Sequence, residues 1–324
     1  MTTVECYARI NFGLLDLSDH PHRIDGSHGL YTNLPVGKVV AQAAPHEDHK
    51  IHTVYQKRIY ETLTRCKMLG DLAASKITIC VEQNLPGQHI GVGYGTQLSL
   101  SVVEAINQEL DLGLSLDQKA YLAGSGGTSG AGTYCFAHGG YNLDAGRLYP
   151  SEKRTVGPGE NYSYERLPPL VARISIPDWP LCLAIPKHEI VVSGEKEQRL
   201  FSQYTPIPVN EVDEQCKWIL KGILPALITK DFSSFCLAVE HEMETGFRVR
   251  EIQTYGEAQI HAMNRLRSAG LCGVGMTSFG PTLFGFSPDW NIAYGAYEAL
   301  REDPLFENVY ITTPRNQGAA ITRE

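Results

Sequence analysis

The residues best suited to do chemistry lie in Gly91-Val92-Gly93-Tyr94-Gly95-Thr96-Gln97, which runs directly into Leu98-Ser99-Leu100-Ser101-Val102-Val103. Glycines at alternate positions suit a loop that needs positive φ or close approach of backbone to a ligand. The stretch after it has helical period, with Leu98, Val102, Ala105, Ile106 and Leu110 on one stripe. Upstream, Ile77-Thr78-Ile79-Cys80-Val81 reads as a buried strand. Strand, glycine loop and helix N-terminus in that order leave backbone N–H groups unpaired at the positive end of a helix dipole, which suits an anion or a phosphate. The spacing is neither Gly-x-Gly-x-x-Gly with a following acid nor Gly-x-x-x-x-Gly-Lys-Ser/Thr, so neither a Rossmann site nor a Walker loop is supported. A turn with no ligand is the simpler alternative.

Two further glycine clusters follow. Gly124-Ser125-Gly126-Gly127-Thr128-Ser129-Gly130-Ala131-Gly132 sits between a helix and a mixed apolar segment, which favours a ligand-facing loop over a flexible linker. Gly273-Val274-Gly275-Met276-Thr277-Ser278-Phe279-Gly280-Pro281-Thr282 leads into an apolar strand.

The elements that must hold these loops are mixed. Val4, Cys6, Ala8, Ile10 and Phe12 alternate with polar residues, predicting a half-buried strand over residues 4–17 that carries Arg9 and Asn11 on its other face. Residues 36–43 and 309–313 also read as strands, the latter closing the chain. Ser115-Leu116-Asp117-Gln118 is a capping box that starts a helix. Helices are predicted at about 210–228, 231–244 and 254–269, with Gly270 stopping the last. Residues 151–170 are rich in Pro, Gly and charge and mark a boundary, giving lobes 1–165 and 166–324 and an α+β architecture.

Composition narrows the function. The 324 residues are 43% hydrophobic and 20% charged, an ordinary globular balance, and the net charge of −8 argues against a nucleic-acid footprint. No apolar run reaches the roughly 20 residues of a membrane span. The start, Met1-Thr2-Thr3-Val4-Glu5, lacks a signal-peptide pattern, so a cytoplasmic location is expected. The eight cysteines are scattered without Cys-x-x-Cys, so free buried thiols are expected, with neither disulfides nor zinc. His46, His49 and His52 recur every third residue; solvated histidines are the simpler reading than a metal site.

The three glycine clusters, in this order, resemble the phosphate loop, second motif and C-terminal motif of the GHMP kinase superfamily. One branch is more similar, the β-ribofuranosylaminobenzene 5′-phosphate synthases and their relatives. The residues that carry this are Ala8-Arg9-Ile10-Asn11-Phe12-Gly13-Leu14-Leu15-Asp16-Leu17, Gly95-Thr96-Gln97-Leu98, Gly127-Thr128-Ser129-Gly130, Gly139-Gly140-Tyr141-Asn142-Leu143-Asp144, Ser193-Gly194-Glu195-Lys196-Glu197 and Ser278-Phe279-Gly280-Pro281. The resemblance implies a two-lobed GHMP-kinase-like fold, α+β in class, and a homodimer. The kinases' Ser-Ser-Ala run is replaced here by Tyr94-Gly95-Thr96-Gln97, and Gly132 stands where their catalytic Asp is expected. Both departures favour a phosphate-binding scaffold that is no longer a kinase.

The activity the resemblance implies joins phosphoribosyl pyrophosphate to an aromatic carboxylic acid through carbon, with loss of CO2 and pyrophosphate. The leaving group needs donors and Mg²⁺ as cofactor. Gly93, Gly95, Thr96, Gln97 and Ser99 suit the diphosphate; Thr128, Ser129 and Gly130, or Thr277 and Ser278, suit the 5′-phosphate. Arg9, Lys187 and His188 are candidates to hold the acceptor carboxylate, and Asp16, Asp144 and Glu195 to bind Mg²⁺. The acceptor is a hydroxy- or aminobenzoate in one group of relatives and a heteroaromatic acid such as a pyrazole in C-nucleoside synthases; the start Ser125-Gly126-Gly127 leans toward the second. The rival functions are an ATP-dependent small-molecule kinase and a non-catalytic phosphate-binding protein.

Overall fold

The computed structural model describes residues 1–19, 22–44, 48–68, 76–87, 89–157, 165–187, 192 and 194–324. In chain order the strands are β1 (Thr2–Asp16), β2 (Arg23–Ala43), β3 (Lys50–His52), β4 (Ile77–Gln83), β5 (Tyr141–Asp144), β6 (Arg147–Leu148), β7 (Leu170–Ile174), β8 (Leu181–Pro186), β9 (Cys272–Met276), β10 (Leu283–Phe286), β11 (Phe306–Thr312) and β12 (Ala320–Arg323). The helices are α1 (Gln56–Lys67), α2 (Tyr94–Glu109), α3 (Leu116–Ala123), α4 (Ala131–His138), α5 (Glu195–Tyr204), α6 (Val209–Trp218), α7 (Leu224–Thr229), α8 (Phe232–Met243), α9 (Gly246–Thr254), α10 (Glu257–Ser268) and α11 (Trp290–Arg301).

Two sheets form. The first is built on the antiparallel pair β1–β2, with β12 outside β1, and β4 and then β3 beyond the second half of β2. The first half of β2 pairs with β5, which pairs with β7. The second is a four-stranded antiparallel sheet in the order β11-β8-β10-β9. The sheets do not divide at residue 165. Strand β7 and the closing strand β12 both lie in the first sheet, so the chain leaves that sheet, builds the second and returns. The strand expected to close the chain, β11, is followed by β12 because Ala320–Arg323 finds the free edge of β1.

The element that positions the site is α2. It packs on β1 and β2 and is buried on nearly every side, including Gln97, Ser99, Ser101 and Glu104. These polar groups are satisfied: Ser101 Oγ donates to the Gln97 carbonyl (2.8 Å), and Glu104 accepts from Lys119 Nζ (2.6 Å). The capping box at Ser115 and Gln118 forms on both sides. Gly270, at φ +95°, ends α10. The helix predicted at 210–228 is interrupted by a π turn at Ile219–Ile223, just ahead of Pro225, whose missing N–H cannot continue the α ladder. The helix predicted at 254–269 is α10, which starts after Gly256 at φ +70°; α9, just before it, was not among the predicted helices.

The lobes meet through polar groups buried in an aromatic core of Phe12, Phe235, Phe284 and Phe286. His28 of β2 bonds Glu242 of α8 through Nε2 and Tyr141 Oη through Nδ1 (2.8 Å). Gln215 of α6 donates to the Leu14 carbonyl (2.8 Å) and to Glu242 (3.1 Å). A Cβ on Gly13 would lie 2.9 Å from Gln215 Nε2 and Glu242 Oε1, so any larger residue must displace this bonded pair.

Candidate active site

The first and third glycine loops touch backbone to backbone. A Cβ on Gly280 would lie 2.2 Å from the Gly91 nitrogen, and one on Gly91, at φ +90°, would lie 2.4 Å from the Thr277 carbonyl oxygen. Thr277 pins the seam: its Oγ1 accepts from Asn11 N (2.9 Å) and donates to the Gly91 carbonyl (3.0 Å). Arg9 N donates to the Val92 carbonyl (3.0 Å), fixing the loop to β1. Thr277→Val keeps the shape and removes both hydroxyl bonds. It is expected to cost roughly 1–3 kcal/mol of stability, read by chemical denaturation.

From this seam the chain enters α2 through Gly93, at φ +80°, with no side chain capping the first turn. The first-turn amides of Tyr94, Gly95 and Thr96 therefore face an open cavity of about 250 Å³. Its lining joins four regions: Arg9 of β1; residues 89–96, with Tyr55 and Arg58 at the start of α1; Ser278, Phe279 and Gly280; and Val192 with Glu197 of α5.

Two arginines make this cavity cationic. Arg9 Nε and Nη1 are buried and have no hydrogen-bond partner among the described residues. Burial pulls its pKa down, and nearby Arg248 adds to that effect; a guanidinium stays charged regardless. Arg58 is likewise pulled down by burial and by Arg65. It donates to Ser99 Oγ (3.2 Å) and Thr96 Oγ1 (3.3 Å), with no carboxylate partner among the described residues. Buried cations without acids are costly unless an anion completes them. Two guanidiniums beside an uncapped helix N-terminus form such an anion site.

The floor is rigid. Arg248 of α9 is fully buried and donates to the carbonyls of Phe12 (2.6 Å), Asn11 (3.1 Å) and Ser278 (2.9 Å), and lies 2.5 Å from Glu251. It holds Ser278 at φ +55°, a conformation uncommon for a side-chain-bearing residue.

The predicted residues separate into groups. Gly93, Gly95, Thr96, Arg9 and Ser278 line the cavity. Gln97, Ser99 and Thr277 act one step behind it: Gln97 Nε2 donates to the Gly132 carbonyl (2.9 Å), joining α2 to α4, and Ser99 holds Arg58. The second loop does not supply the expected phosphate site. Thr128 Oγ1 donates to the Gly157 carbonyl, Ser129 Oγ meets Ser27 Oγ, and Gly130 N donates to Asp144. Only Gly132 of that loop approaches the site: a Cβ there would lie 3.6 Å from Arg9 Nε and 3.7 Å from Thr96.

Asp144 is corrected from metal ligand to helix cap. Its carboxylate accepts from Ser27 Oγ and from the N–H groups of Gly130, Ala131 and Gly146, filling the N-terminus of α4. Burial pushes its pKa up to about 6 against the pull of those donors. Asp144→Asn is expected to cost roughly 2 kcal/mol in urea denaturation, because an amide nitrogen would face N–H donors. Asp16 caps Ser18, and Glu195 is exposed beside Arg199. These three acids are not gathered, and no cluster of three metal-ligating side chains occurs among the described residues, so no protein ligand set for Mg²⁺ is assigned. Lys187 is exposed at the end of β8 and does not line the cavity; His188 and His46 lie outside the described residues. His49 accepts from Ile79 N, and His52 is exposed on β3.

Sequence reasoning missed Arg58, Tyr55, His89 and Glu197. The first three come from α1 and the segment before the loop, where no spacing marks them. Glu197 had a signal: on a helix it points about 200° away from Glu195, so only one of the pair can face inward.

The fold is that of the GHMP kinase superfamily. Homoserine kinase from Cytophaga hutchinsonii superposes with a TM-score of 0.70 at 15% identity, covering 99% of this chain and 97% of that one. No protein-family model matches the chain. Sequence similarity is more specific. A β-ribofuranosylphenol 5′-phosphate synthase of Archaeoglobus fulgidus is 33% identical over 319 residues, and that of Methanothermobacter thermautotrophicus is 29% identical over 328, each alignment spanning at least 97% of both chains. The chain belongs to the β-ribofuranosylphenol 5′-phosphate synthase family.

Proposed function

We propose that this protein transfers ribose 5-phosphate from phosphoribosyl pyrophosphate to an aromatic carboxylic acid, forming a carbon–carbon bond and releasing CO2 and pyrophosphate. The observation that carries this reading is Arg9, whose Nε and Nη1 are buried without a partner among the described residues, beside the uncapped N-terminus of α2. As the bond from the anomeric carbon to the diphosphate breaks, negative charge collects on the leaving oxygen. Arg9, Arg58 and the amides of Tyr94, Gly95 and Thr96 are the donors already oriented to receive it. The names of the relatives favour a hydroxybenzoate acceptor over the heteroaromatic acid toward which residues 125–127 leaned. Gly132 weighs against a kinase: a carboxylate there would neutralise Arg9 and provide a base, and glycine does neither.

The test is incubation with phosphoribosyl pyrophosphate, Mg²⁺ and a panel containing 4-hydroxybenzoate, 4-aminobenzoate and amino-pyrazole carboxylates, reading pyrophosphate and CO2 together. Coupled release with 4-hydroxybenzoate is the expected result; ADP formation from ATP instead would restore the kinase. A parallel assay with chelator tests the expected Mg²⁺ requirement, and sedimentation tests the homodimer that the resemblance implies. No described helix is long and apolar enough to cross a membrane, and a cytoplasmic location remains our proposal.

A further inference from the structure

The cavity lining has two chemically distinct parts. One is cationic, formed by Arg9, Arg58 and the first turn of α2. The other is formed by Val192, Phe279 and Glu197. Glu197 is half-buried on α5 and has no hydrogen bond or ion pair among the described residues. Its acidic neighbour Glu251 lies 2.5 Å from Arg248, which leaves no cation for Glu197 from that side. A carboxyl group set on an apolar wall, facing a cavity and lacking a partner among the described residues, is placed to exchange a proton with a ligand.

Accepting the proposed reaction, on which this step rests, the shape of the acceptor sets its orientation. The ring carbon that attacks bears the carboxylate, and it must reach the anomeric carbon beside the diphosphate. The carboxylate therefore lies toward Arg9. The opposite ring position, which carries the activating hydroxyl, then points away from Arg9, toward the part of the lining that holds Glu197. Reversing the ring would bring a third carboxylate against Glu197 and Glu251, and like charges there repel.

We propose that Glu197 is a catalytic residue that takes the proton of the acceptor's ring hydroxyl during attack and returns it as CO2 leaves. In the first step the hydroxyl O–H bond breaks, its proton moves to the Glu197 carboxylate, and its electron pair flows through the ring. The ring carbon bonds to the anomeric carbon, and the bond to the diphosphate breaks with its pair on the diphosphate. The product of this step is a dienone whose ring is uncharged and whose quaternary ring carbon still carries the carboxylate. In the second step the bond to the carboxylate carbon breaks and CO2 departs. Its electron pair restores the aromatic ring, and the ring oxygen recovers the proton from Glu197. No net proton, oxidant or reductant is needed.

The groups that face Glu197 from the elements around it are Glu251 and Tyr255 of the α9 region, with Arg9, Arg58 and His89 on the other cavity walls. Burial pushes the Glu197 pKa up to about 7. As a base it must be ionised, so kcat rises with pH through that value.

The experiment compares wild type, Glu197→Gln and Glu197→Ala with 4-hydroxybenzoate and with a difluorinated 4-hydroxybenzoate whose ring hydroxyl is already ionised at the assay pH. For 4-hydroxybenzoate, kcat is expected to fall roughly 100-fold or more in both variants, with the acidic limb near 7 lost and the donor's Kd by calorimetry unchanged. For the ionised acceptor, the gap between wild type and Glu197→Gln is expected to close to within about threefold, because no base is needed. Equal losses on both acceptors, or no loss on either, would overturn the role. Wild type that releases no pyrophosphate with any acid would overturn the reaction itself, a separate result.

Discussion

Arg9→Met is expected to be more stable than wild type and nearly inactive. The guanidinium is buried, unpartnered among the described residues, and close enough to Arg248 for the two to repel. Replacing a buried charge with an apolar side chain of similar length removes a desolvation penalty, and a gain of about 1–3 kcal/mol is expected. The same change removes a charge-assisted donor at the leaving diphosphate, so kcat is expected to fall roughly 100- to 1000-fold. Differential scanning calorimetry and pyrophosphate release measure the two effects on one preparation. A variant that is both less stable and inactive would show that Arg9 is a structural cation instead. Arg58→Met should behave differently, because Arg58 also braces Thr96, Ser99 and the Gly124 carbonyl: activity falls without the gain in stability.

Gly280→Ala carries the second large effect. The added carbon would sit 2.2 Å from the Gly91 nitrogen and from the Ile90 carbonyl carbon, both backbone atoms that no rotamer can move aside. The first and third loops must then separate, which costs roughly 3 kcal/mol or more and tilts the first turn of α2 away from Arg9. Loss of diphosphate binding by calorimetry, alongside a lower denaturation midpoint, is the expected pair. Gly295→Ala serves as the control, since a Cβ there meets nothing within 4 Å.

The strand–loop–helix unit around Gly91 was legible in the sequence because each signal in it is local: alternating glycines, a helical stripe and an apolar strand; the helix nevertheless begins at Tyr94, inside the expected loop. The alternation of β1 placed Arg9 on its polar face for the same reason. What could not be read was pairing at a distance. The second glycine loop has the composition of a phosphate site, yet Asp144, arriving 14 residues later on β5, occupies its helix terminus. No property of Gly130 or Ser129 announces that. Arg58 sits on a helix whose own pattern explains only its apolar face; its role follows from packing against α2. The composition of residues 151–170 marks a boundary between lobes, but β7 and β12 both lie in the first sheet, so the sheets do not divide there.

The seam between the lobes has a consequence for how the molecule comes apart. Arg248 of one lobe is bonded to the Asn11 and Phe12 carbonyls of the other, Thr277 bridges Asn11 and Gly91, and His28 is joined to Glu242. Neither sheet can lose its order while leaving these donors and acceptors satisfied, so neither has an independent melting step. Two sheets so joined unfold as one cooperative unit. A single calorimetric peak is expected, and the amide protons of Asn11 and Thr277 should exchange with solvent only through global opening, the slowest class in the chain.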